Sequence, residues 1–320
     1  MKNPAATAST QPSTTTGILL MVKSMPSLRY KIIAIIAPII RILPPWWKVR
    51  FYMHLVGRPF QQGGYSGRLK KRRILPHRYE MELFLDDWME RFAYFVGCFY
   101  EIDITATVLR LLGRGDCFID VGANLGFVTL TASRIVGDSG NVFAFEPNSV
   151  LADRLNHTLL VNEIDNVIIN ENALGDEEGE AVLDLSTHSG TATLRNIAVS
   201  GKKVKVHRGD NCINDLVDDT WVLVKLDVEG YEMRVLKGFE NLIKRSKTGF
   251  IVEITDQWLK DLGSSADELF DLMLENGFKA YLPKLSFLSK FELRPISRSL
   301  RGRYQYDVLF LRPEDGWLAR

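Results

Sequence analysis

The sequence has little cysteine, only three residues in 320, and none of them forms a Cys-x-x-Cys pair. They stand far apart, at Cys98, Cys117 and Cys212. This spacing excludes the usual structural zinc motifs and gives no sign of a disulfide framework. We therefore expect the protein to work in a reducing compartment, the cytoplasm.

Long apolar runs are missing as well. The apolar stretch at residues 32–40 contains Pro38 and is far shorter than the roughly 20 residues of a membrane-spanning helix. It also begins late in the chain, and no small-x-small cleavage site follows it. A spanning helix and a cleavable signal peptide are therefore both poor matches for this segment.

Acidic residues are absent from residues 1–73, which hold 13 of the 40 Lys and Arg residues. All 39 acidic residues lie further along, together with the remaining 27 basic ones. The acid-free segment ends in the run KKRR, which begins at Lys70. This asymmetry predicts a basic arm that meets an anionic partner.

The same arm allows two structural interpretations. Its cationic flanks, its apolar centre and the PPWW at 44–47 are typical of a segment that lies in a membrane interface. A helix that packs on the body of the protein, or on a second subunit, fits the pattern equally well. If the first interpretation holds, the protein is peripheral at the cytoplasmic membrane face.

Strand and helix patterns alternate after the arm. The strand-like runs are FIDV (118–121), NVFAFEP (141–147), NVIINENALG (166–175), WVLVKLDV (221–228), GFIVEIT (249–255), and finally FKAYLP and YDVLFLRP with no helix between them. This alternation predicts a doubly wound α/β fold, a seven-stranded Rossmann-like sheet with its last strand antiparallel. The domain boundaries we expect are a disordered tail at 1–16, the basic arm at 17–73, a lead-in at 74–115 and the sheet domain at 116–320.

The first strand leads into the turn DVGANLG, which raises the question of what this turn binds. Gly122 and Gly126 allow unusual dihedral angles and a close approach of ligand, but the third glycine of the dinucleotide motif G-x-G-x-x-G is missing. Asp120 would oppose a pyrophosphate and would attract a ligand with positive charge, such as the ammonium and sulfonium of S-adenosylmethionine. An ordinary strand-to-helix turn is the alternative.

Polar or small residues also end the next two predicted strands, where ligands bind in such sheets. Glu146 ends the second strand, roughly 20 residues after the glycine turn. An acid at this separation binds the ribose hydroxyls in nucleotide-binding sheets. Asn172 and Ala173 end the third strand, where a small side chain lets an adenine ring approach. Solvated charges and a surface turn are the competing interpretations at these positions.

The fourth strand ends in KLDVEG, and Lys225, Asp227 and Glu229 would share one side of it. Charged residues on an apolar strand are costly unless they are paired or used, and we favour use over a simple Lys–Asp pair. Glu253, on the fifth strand, is placed to face these acids. Oxygen ligands alone would suit magnesium, but we predict no metal site.

In combination, these motifs resemble the FkbM-type family of S-adenosylmethionine-dependent methyltransferases. The resemblance covers about residues 80–285 and is carried by DVGANLGF, VFAFEPN, ENALGDEEGE, SGTATL, VKLDVEGYEMRVLKGFENL and FIVEIT. It implies the seven-stranded methyltransferase fold and S-adenosylmethionine as the cofactor. It also implies the following roles: the methionine end of the cofactor at Asp120, Gly122, Ala123, Asn124 and Gly126, the ribose at Glu146, the adenine at Asn172 and Ala173, and the reacting edge at Asp227 and Glu229.

The function implied by the resemblance is O-methylation of a hydroxyl on a sugar, glycan or natural-product acceptor. An alcohol must lose a proton, and a carboxylate within about 3 Å would help to remove it. Glu229 is the first candidate for this base and Asp227 the second, with Asp227 also placed to orient the cofactor. His188 is a more remote candidate.

Two other functions fit parts of the sequence. A nicotinamide-dependent reductase uses a similar sheet, but the missing third glycine and the DVEG end of the fourth strand argue against it. A non-catalytic binder would use the basic arm to hold a membrane or a nucleic acid. The arm lacks the regularly interleaved aromatic residues that stack bases, so we expect no specific nucleic acid.

Overall fold

The computed structural model describes residues 26–56, 69–184, 193–195, 201–213, 216, 219–286, 288, 290–300 and 302–320. Within these ranges the strands are β1 (Leu69–Ile74), β2 (Tyr79–Phe84), β3 (Cys117–Val121), β4 (Asn141–Phe145), β5 (Val167–Asn170), β6 (Ala173–Gly175), β7 (Gly179–Asp184), β8 (Thr193–Arg195), β9 (Lys202–Arg208), β10 (Val222–Leu226), β11 (Thr248–Ile254), β12 (Lys279–Leu285), β13 (Phe291–Ile296) and β14 (Tyr306–Leu311). The α-helices are α1 (Pro26–Ile40), α2 (Pro45–Val56), α3 (Trp88–Val96), α4 (Ile102–Leu111), α5 (Phe127–Val136), α6 (Ser149–Val161), α7 (Gly209–Cys212), α8 (Glu232–Gly238), α9 (Glu240–Lys244), α10 (Asp256–Asp261) and α11 (Ala266–Glu275).

A central sheet of eight strands has the order β13-β12-β14-β11-β10-β3-β4-β5. The strands β5, β4, β3, β10 and β11 are parallel, β14 is antiparallel to β11, and β12 is antiparallel to β14. The chain runs outward from β3 to β5 and later returns to place β10 on the other side of β3. The carboxyl ends of β3 and β10 therefore border the crevice in which doubly wound sheets bind ligands.

The predicted doubly wound fold with an antiparallel final strand is confirmed, with two differences in detail. An eighth strand, β13, joins the edge because residues 291–296 pair with β12 as a hairpin. The predicted third strand at 166–175 is broken, because β5 ends at Asn170 and β6 joins β9 in a separate sheet of order β6-β9-β7-β8. All of β6 is buried there, whereas β5 at the edge of the central sheet is half-exposed.

Helices cover both faces of the central sheet, and one face changes from apolar to charged along its strands. Phe118, Leu223, Ile251 and Leu309 pack in a buried cluster with α4 and α5. Two residues further toward the crevice, side-chain alternation places charged residues on the same face, namely Asp120, Lys225, Glu253 and Asp307. The register pairs Lys225 with Asp120 and Glu253 with Asp307 on neighbouring strands.

The helices α1 and α2 pack against α3. One side of each of these two helices is therefore packed on the body of the protein, as one of the two interpretations of the arm predicts. Their buried residues share a cluster with Phe92, Phe95 and Val96 of α3. Tyr30 stacks on Phe95 at 6.1 Å between ring centroids, and Tyr52 meets Phe92 edge to face at 4.9 Å. In the part of the chain that the structure describes, no helix combines the length and the apolar character needed to cross a bilayer.

Candidate active site

The turn after β3 is held tightly by the rest of the fold. Gly122 has φ +81° and Gly126 has φ +79°, a region that favours glycine. A Cβ atom at Gly122 would overlap the carbonyl oxygen of Asp227, and one at Gly126 would overlap the side chain of Leu155. Both glycines predicted to shape this turn are therefore required by packing, whatever the turn binds.

Glu146 ties this turn to the end of β4. Its Oε2 accepts a hydrogen bond from the backbone N–H of Asn124 at 2.8 Å, and its Oε1 accepts one from that of Asn148 at 2.9 Å. Burial raises the pKa of Glu146 to about 7. Asn124 has φ +52°, and its side-chain Oδ1 is buried without a hydrogen-bond partner among the residues that the structure describes.

Lys225 lies between two of the predicted acids. Its Nζ is 3.0 Å from Oδ2 of Asp227 and 3.6 Å from Oδ1 of Asp120, whose Oδ2 accepts a hydrogen bond from Thr129 at 2.6 Å. Although burial disfavours the ammonium, the carboxylates of Asp227 and Asp120 raise the pKa of Lys225 above its usual value. Lys225 is thus a fixed positive charge at the base of the crevice.

Further acids surround this pair. One carboxylate oxygen from each of Glu101, Asp227 and Glu253 lies within 4.8 Å of the other two, and Asp307 stands opposite Glu253 across the β11–β14 pair. Together with Asp120 they form what we call the carboxylate layer, defined as Glu101, Asp120, Asp227, Glu253 and Asp307. Burial raises the pKa of Glu101 to about 8, that of Asp307 to about 7 and that of Glu253 well above its usual value.

Glu101 and Asp307 were not among the sequence predictions. Glu101 precedes α4 in the segment interpreted as a lead-in, and the hydroxyl of Tyr100 donates to its carboxylate at 2.8 Å. Nothing in the local sequence distinguishes Glu101 from a surface acid. Asp307 carried a usable signal, because it is a lone acid in the apolar strand YDVLFL, as Glu253 is in FIVEI.

Glu229, the first candidate for the base, lies beside the carboxylate layer with φ +53°. Its Oε2 is buried and has no hydrogen-bond partner in the described part of the chain. Burial, followed by the charge of Asp227, raises the pKa of Glu229 to about 9. The carboxyl group of Glu229 is therefore protonated at neutral pH.

The residues predicted at the adenine follow the end of β5. The carbonyl oxygen of Asn170 accepts a hydrogen bond from the backbone N–H of Glu146 at 2.9 Å, which brings the ends of β4 and β5 together. Asn172 is half-buried two residues further along. Ala173 is buried in the apolar cluster that also contains Leu174. His188 lies outside the described residues.

The donor set of this crevice suits a ligand that carries positive charge. The five acids of the carboxylate layer outnumber the ammonium of Lys225, and burial, followed by the charge of neighbouring carboxylates, raises the pKa values of Glu101, Glu253 and Asp307. The unpartnered Oδ1 of Asn124 offers an acceptor at the glycine turn. An ammonium or a sulfonium supplies the complementary charge, so the residues present fit S-adenosylmethionine.

The fold and the site define a doubly wound α/β domain with an acidic crevice at the carboxyl ends of its strands, and comparison with known proteins identifies its family. Residues 120–280, half of the chain, match the family model described as a methyltransferase FkbM domain. The chain therefore belongs to the FkbM methyltransferase family, and its cofactor is S-adenosylmethionine. This match favours a methyltransferase over the nicotinamide-dependent reductase considered above.

Two curated proteins are similar over part of the chain. A hexuronic acid methyltransferase, AglP, of Haloferax volcanii is 31% identical over 154 residues, which are 48% of this chain and 62% of that protein. A probable cobalt-precorrin-6B C(15)-methyltransferase (decarboxylating) of Sulfurisphaera tokodaii is 27% identical over 141 residues, 43% of this chain and 73% of that protein. The match thus spans less than two thirds of the length of AglP.

Solved structures of similar topology include two methyltransferases. A SAM-dependent O-methyltransferase from Thermotoga maritima is 17% identical with a TM-score of 0.38, covering 67% of this chain and 65% of that one. A putative methyltransferase from Streptococcus mutans in complex with SAH is 11% identical with a TM-score of 0.38, covering 65% of this chain and 96% of that one. Scores of this size are too low for either structure to inform the site.

Proposed function

We propose that the protein is an S-adenosylmethionine-dependent methyltransferase that methylates a hydroxyl group of a sugar or glycan. The observation that carries the proposal is the Lys225–Asp227 ion pair at the crevice, with further carboxylates around it. Carboxylates accept hydrogen bonds from hydroxyl groups, so the layer offers several acceptors to a polyol. The similarity to a protein named for hexuronic acid methylation supports a sugar as the acceptor class.

The residues that would hold the cofactor are those at the ends of β3, β4 and β5. The turn at 122–126 takes the methionine end, through Gly122, Ala123, Asn124 and Gly126, with Asp120 supplying negative charge from below. Glu146 takes the ribose hydroxyls, because each of its oxygens accepts one backbone N–H and retains acceptor capacity. Asn172 and Ala173 border the adenine. When bound, the cofactor supplies a methyl group on a positively charged sulfur.

Asp227 is the residue we propose as the general base. It is the more exposed partner in the Lys225 ion pair, with 24% of its side chain accessible, and its carboxylate therefore borders the crevice. Glu229 is less suited, because a carboxyl group with a pKa of about 9 already holds its proton at neutral pH. This reverses the ranking made from the sequence.

The remaining chemistry requires alignment and exclusion of water rather than help to the leaving group. Methyl transfer from a sulfonium releases a neutral thioether, so the chain has to hold the acceptor oxygen in line and remove its proton. The buried acids Asp120 and Glu253, with the backbone of Gly122 packed against the Asp227 carbonyl, form the floor on which that alignment takes place.

Calorimetry with S-adenosylhomocysteine, followed by transfer of tritiated methyl groups to sugars in a cell extract, tests the proposal. We expect binding by the wild-type protein, a loss of affinity in Glu146→Ala and a labelled sugar product. Asp271→Asn, which changes an exposed acid on α11, is the matched control and should behave as wild type. Absence of binding, or a labelled product that is not a methyl ether, would contradict the proposal.

A further inference from the structure

The helix α1 is apolar on two opposite sides. Ile33, Ala37 and Ile40 are buried against the body of the protein. Ile35 and Ile39, one helical turn apart on the other side, are 77% and 63% exposed, and Ile42 in the following turn is 81% exposed. A helix that is apolar all round is normally enclosed by an apolar medium on every side, which water does not provide.

The next helix, α2, repeats this arrangement. Tyr52 and Val56 are buried, whereas Trp47 and Phe51, four residues apart, are 39% and 42% exposed. We call the exposed set the N-terminal apolar surface, defined as Ile35, Ile39, Ile42, Trp47 and Phe51. These are five large exposed apolar side chains on two helices that pack together, more than the scattered single residues that are normal on a surface, and such a set marks an interaction site.

The N-terminal apolar surface is fixed in place by contacts on the opposite side of the helices. Arg41, between α1 and α2, donates from Nε to the backbone carbonyl of Phe95 at 3.0 Å, and Tyr30 stacks on the same residue. Tyr52 packs edge to face on Phe92. The two helices therefore cannot turn their exposed sides inward without losing this buried cluster.

The charged residues of the two helices themselves are of one sign. The sequence contains no acidic residue before Glu80, while Lys31 on α1 and Arg50 on α2 are exposed. The guanidinium of Arg50 lies 5.2 Å from the ring of Trp46. A basic and apolar surface with an adjoining tryptophan pair has the character of the segments that bind at the interface of an anionic bilayer.

We propose that the N-terminal apolar surface inserts into the headgroup region of an anionic lipid bilayer, with Lys31 and Arg50 near the lipid phosphates. A second copy of the chain is a poorer occupant, because a two-fold interface would place the basic residues of α1 and α2 opposite the same basic residues of the partner. The assignment is independent of the proposed methyl transfer. It orients the protein with α1 and α2 toward the membrane.

Cosedimentation of the full-length protein with lipid vesicles tests this assignment. We expect binding to vesicles of phosphatidylcholine with phosphatidylglycerol, weak binding to phosphatidylcholine alone, and loss of binding as salt is raised. Ile35→Ser with Ile39→Ser should weaken partitioning by about tenfold or more, because apolar burial drives insertion. Both side chains are exposed, so thermal unfolding should not change.

The matched control replaces two equally exposed apolar residues on a helix of the sheet domain. Val150→Ser with Leu160→Ser on α6, where these side chains are 64% and 70% exposed, should bind vesicles as the wild-type protein does. Failure of the wild-type protein to bind anionic vesicles, or equal binding by both double variants, would overturn the assignment. A dimer in solution that Ile35→Ser with Ile39→Ser dissociates would overturn it in favour of a second copy.

Discussion

Lys225 and Asp227 form a 3.0 Å ion pair at the carboxyl end of β10, and the same ammonium lies 3.6 Å from Asp120 on the adjacent strand. Asp120 and Asp227, which come from separate sequence motifs, are thus joined through the ammonium of Lys225. The register explains this directly, because Lys225 stands opposite Asp120 across the parallel pair of β10 and β3. The ion pairs have consequences for stability as well as for chemistry.

The first prediction concerns removal of the ammonium. Lys225→Met leaves Asp120, only 1% exposed, without its cationic partner, and we expect a loss of about 3–5 kcal/mol in the free energy of unfolding. Urea denaturation measures this loss. Adding Asp120→Asn to Lys225→Met removes the orphaned charge and should recover most of the stability. If the double variant were no more stable than Lys225→Met alone, the contribution of Lys225 to stability would not come from its ion pair with Asp120.

The second prediction concerns pH. The folded-state pKa is raised from 4.5 to about 8 for Glu101 and to about 9 for Glu229, mainly by burial. Between these values and 4.5 the folded chain binds more protons than the unfolded chain. The stability that these protonated groups contribute is therefore complete below about pH 4.5 and is lost as pH rises through about 8 to 9.

Thermal unfolding of the ligand-free protein across this range measures the effect. We expect the melting temperature to fall as pH rises, and Glu101→Gln to flatten the slope because the amide does not titrate. Asp271→Asn on the surface of α11 is the control and should leave the slope as it is in the wild-type protein. A melting temperature that rises with pH over this range would show that the protonated forms of Glu101 and Glu229 do not stabilise the folded chain.

The third prediction concerns divalent cations. Glu101, Asp227 and Glu253 are close enough for their oxygens to share an ion. We nevertheless expect methyl transfer to survive a chelator, because Lys225 already neutralises part of the charge and protons on the acids of raised pKa neutralise more. Activity measured after dialysis against EDTA checks this. Loss of the rate and its recovery with magnesium would show that the three acids bind a metal.

The sequence predicted those parts of the site that follow from local pattern. A glycine turn after a buried strand, and acids at the ends of β4 and β10, are recognisable because strand ends in a parallel sheet meet at one edge. The structure brings Asp120 and Asp227 together and joins Glu146 to the glycine turn, as that reasoning expects.

Residues supplied by distant segments were beyond the same reasoning. Glu101 reaches the layer from the beginning of α4, a position that depends on how the segment before β3 packs across the sheet. The break between β5 and β6 likewise depends on competition between two sheets for residues 173–175, which no local pattern reveals. The choice between Asp227 and Glu229 as the base also depends on how buried each side chain is and on which charged groups lie beside it, and neither is visible in the sequence.

The last prediction separates these two acids. Asp227→Asn removes the carboxylate proposed to take the proton of the acceptor hydroxyl, and general-base catalysis contributes about 10²–10⁴-fold in rate. We therefore expect kcat to fall by about that factor. Glu229→Gln replaces a group that is already protonated at neutral pH by a neutral amide of similar shape, so its kcat should stay within about tenfold of the wild-type value.

Because Asp227 is also placed to orient the cofactor, the affinity for S-adenosylhomocysteine has to be measured for both variants. A base that acts only on the acceptor leaves this affinity unchanged while kcat falls, whereas a residue that orients the cofactor loses affinity as well. The pH profile adds a second criterion, since loss of the base removes the acidic limb of kcat/KM. If Glu229→Gln lost more activity than Asp227→Asn, the proton would go to Glu229, and the ranking made from the sequence would be the right one.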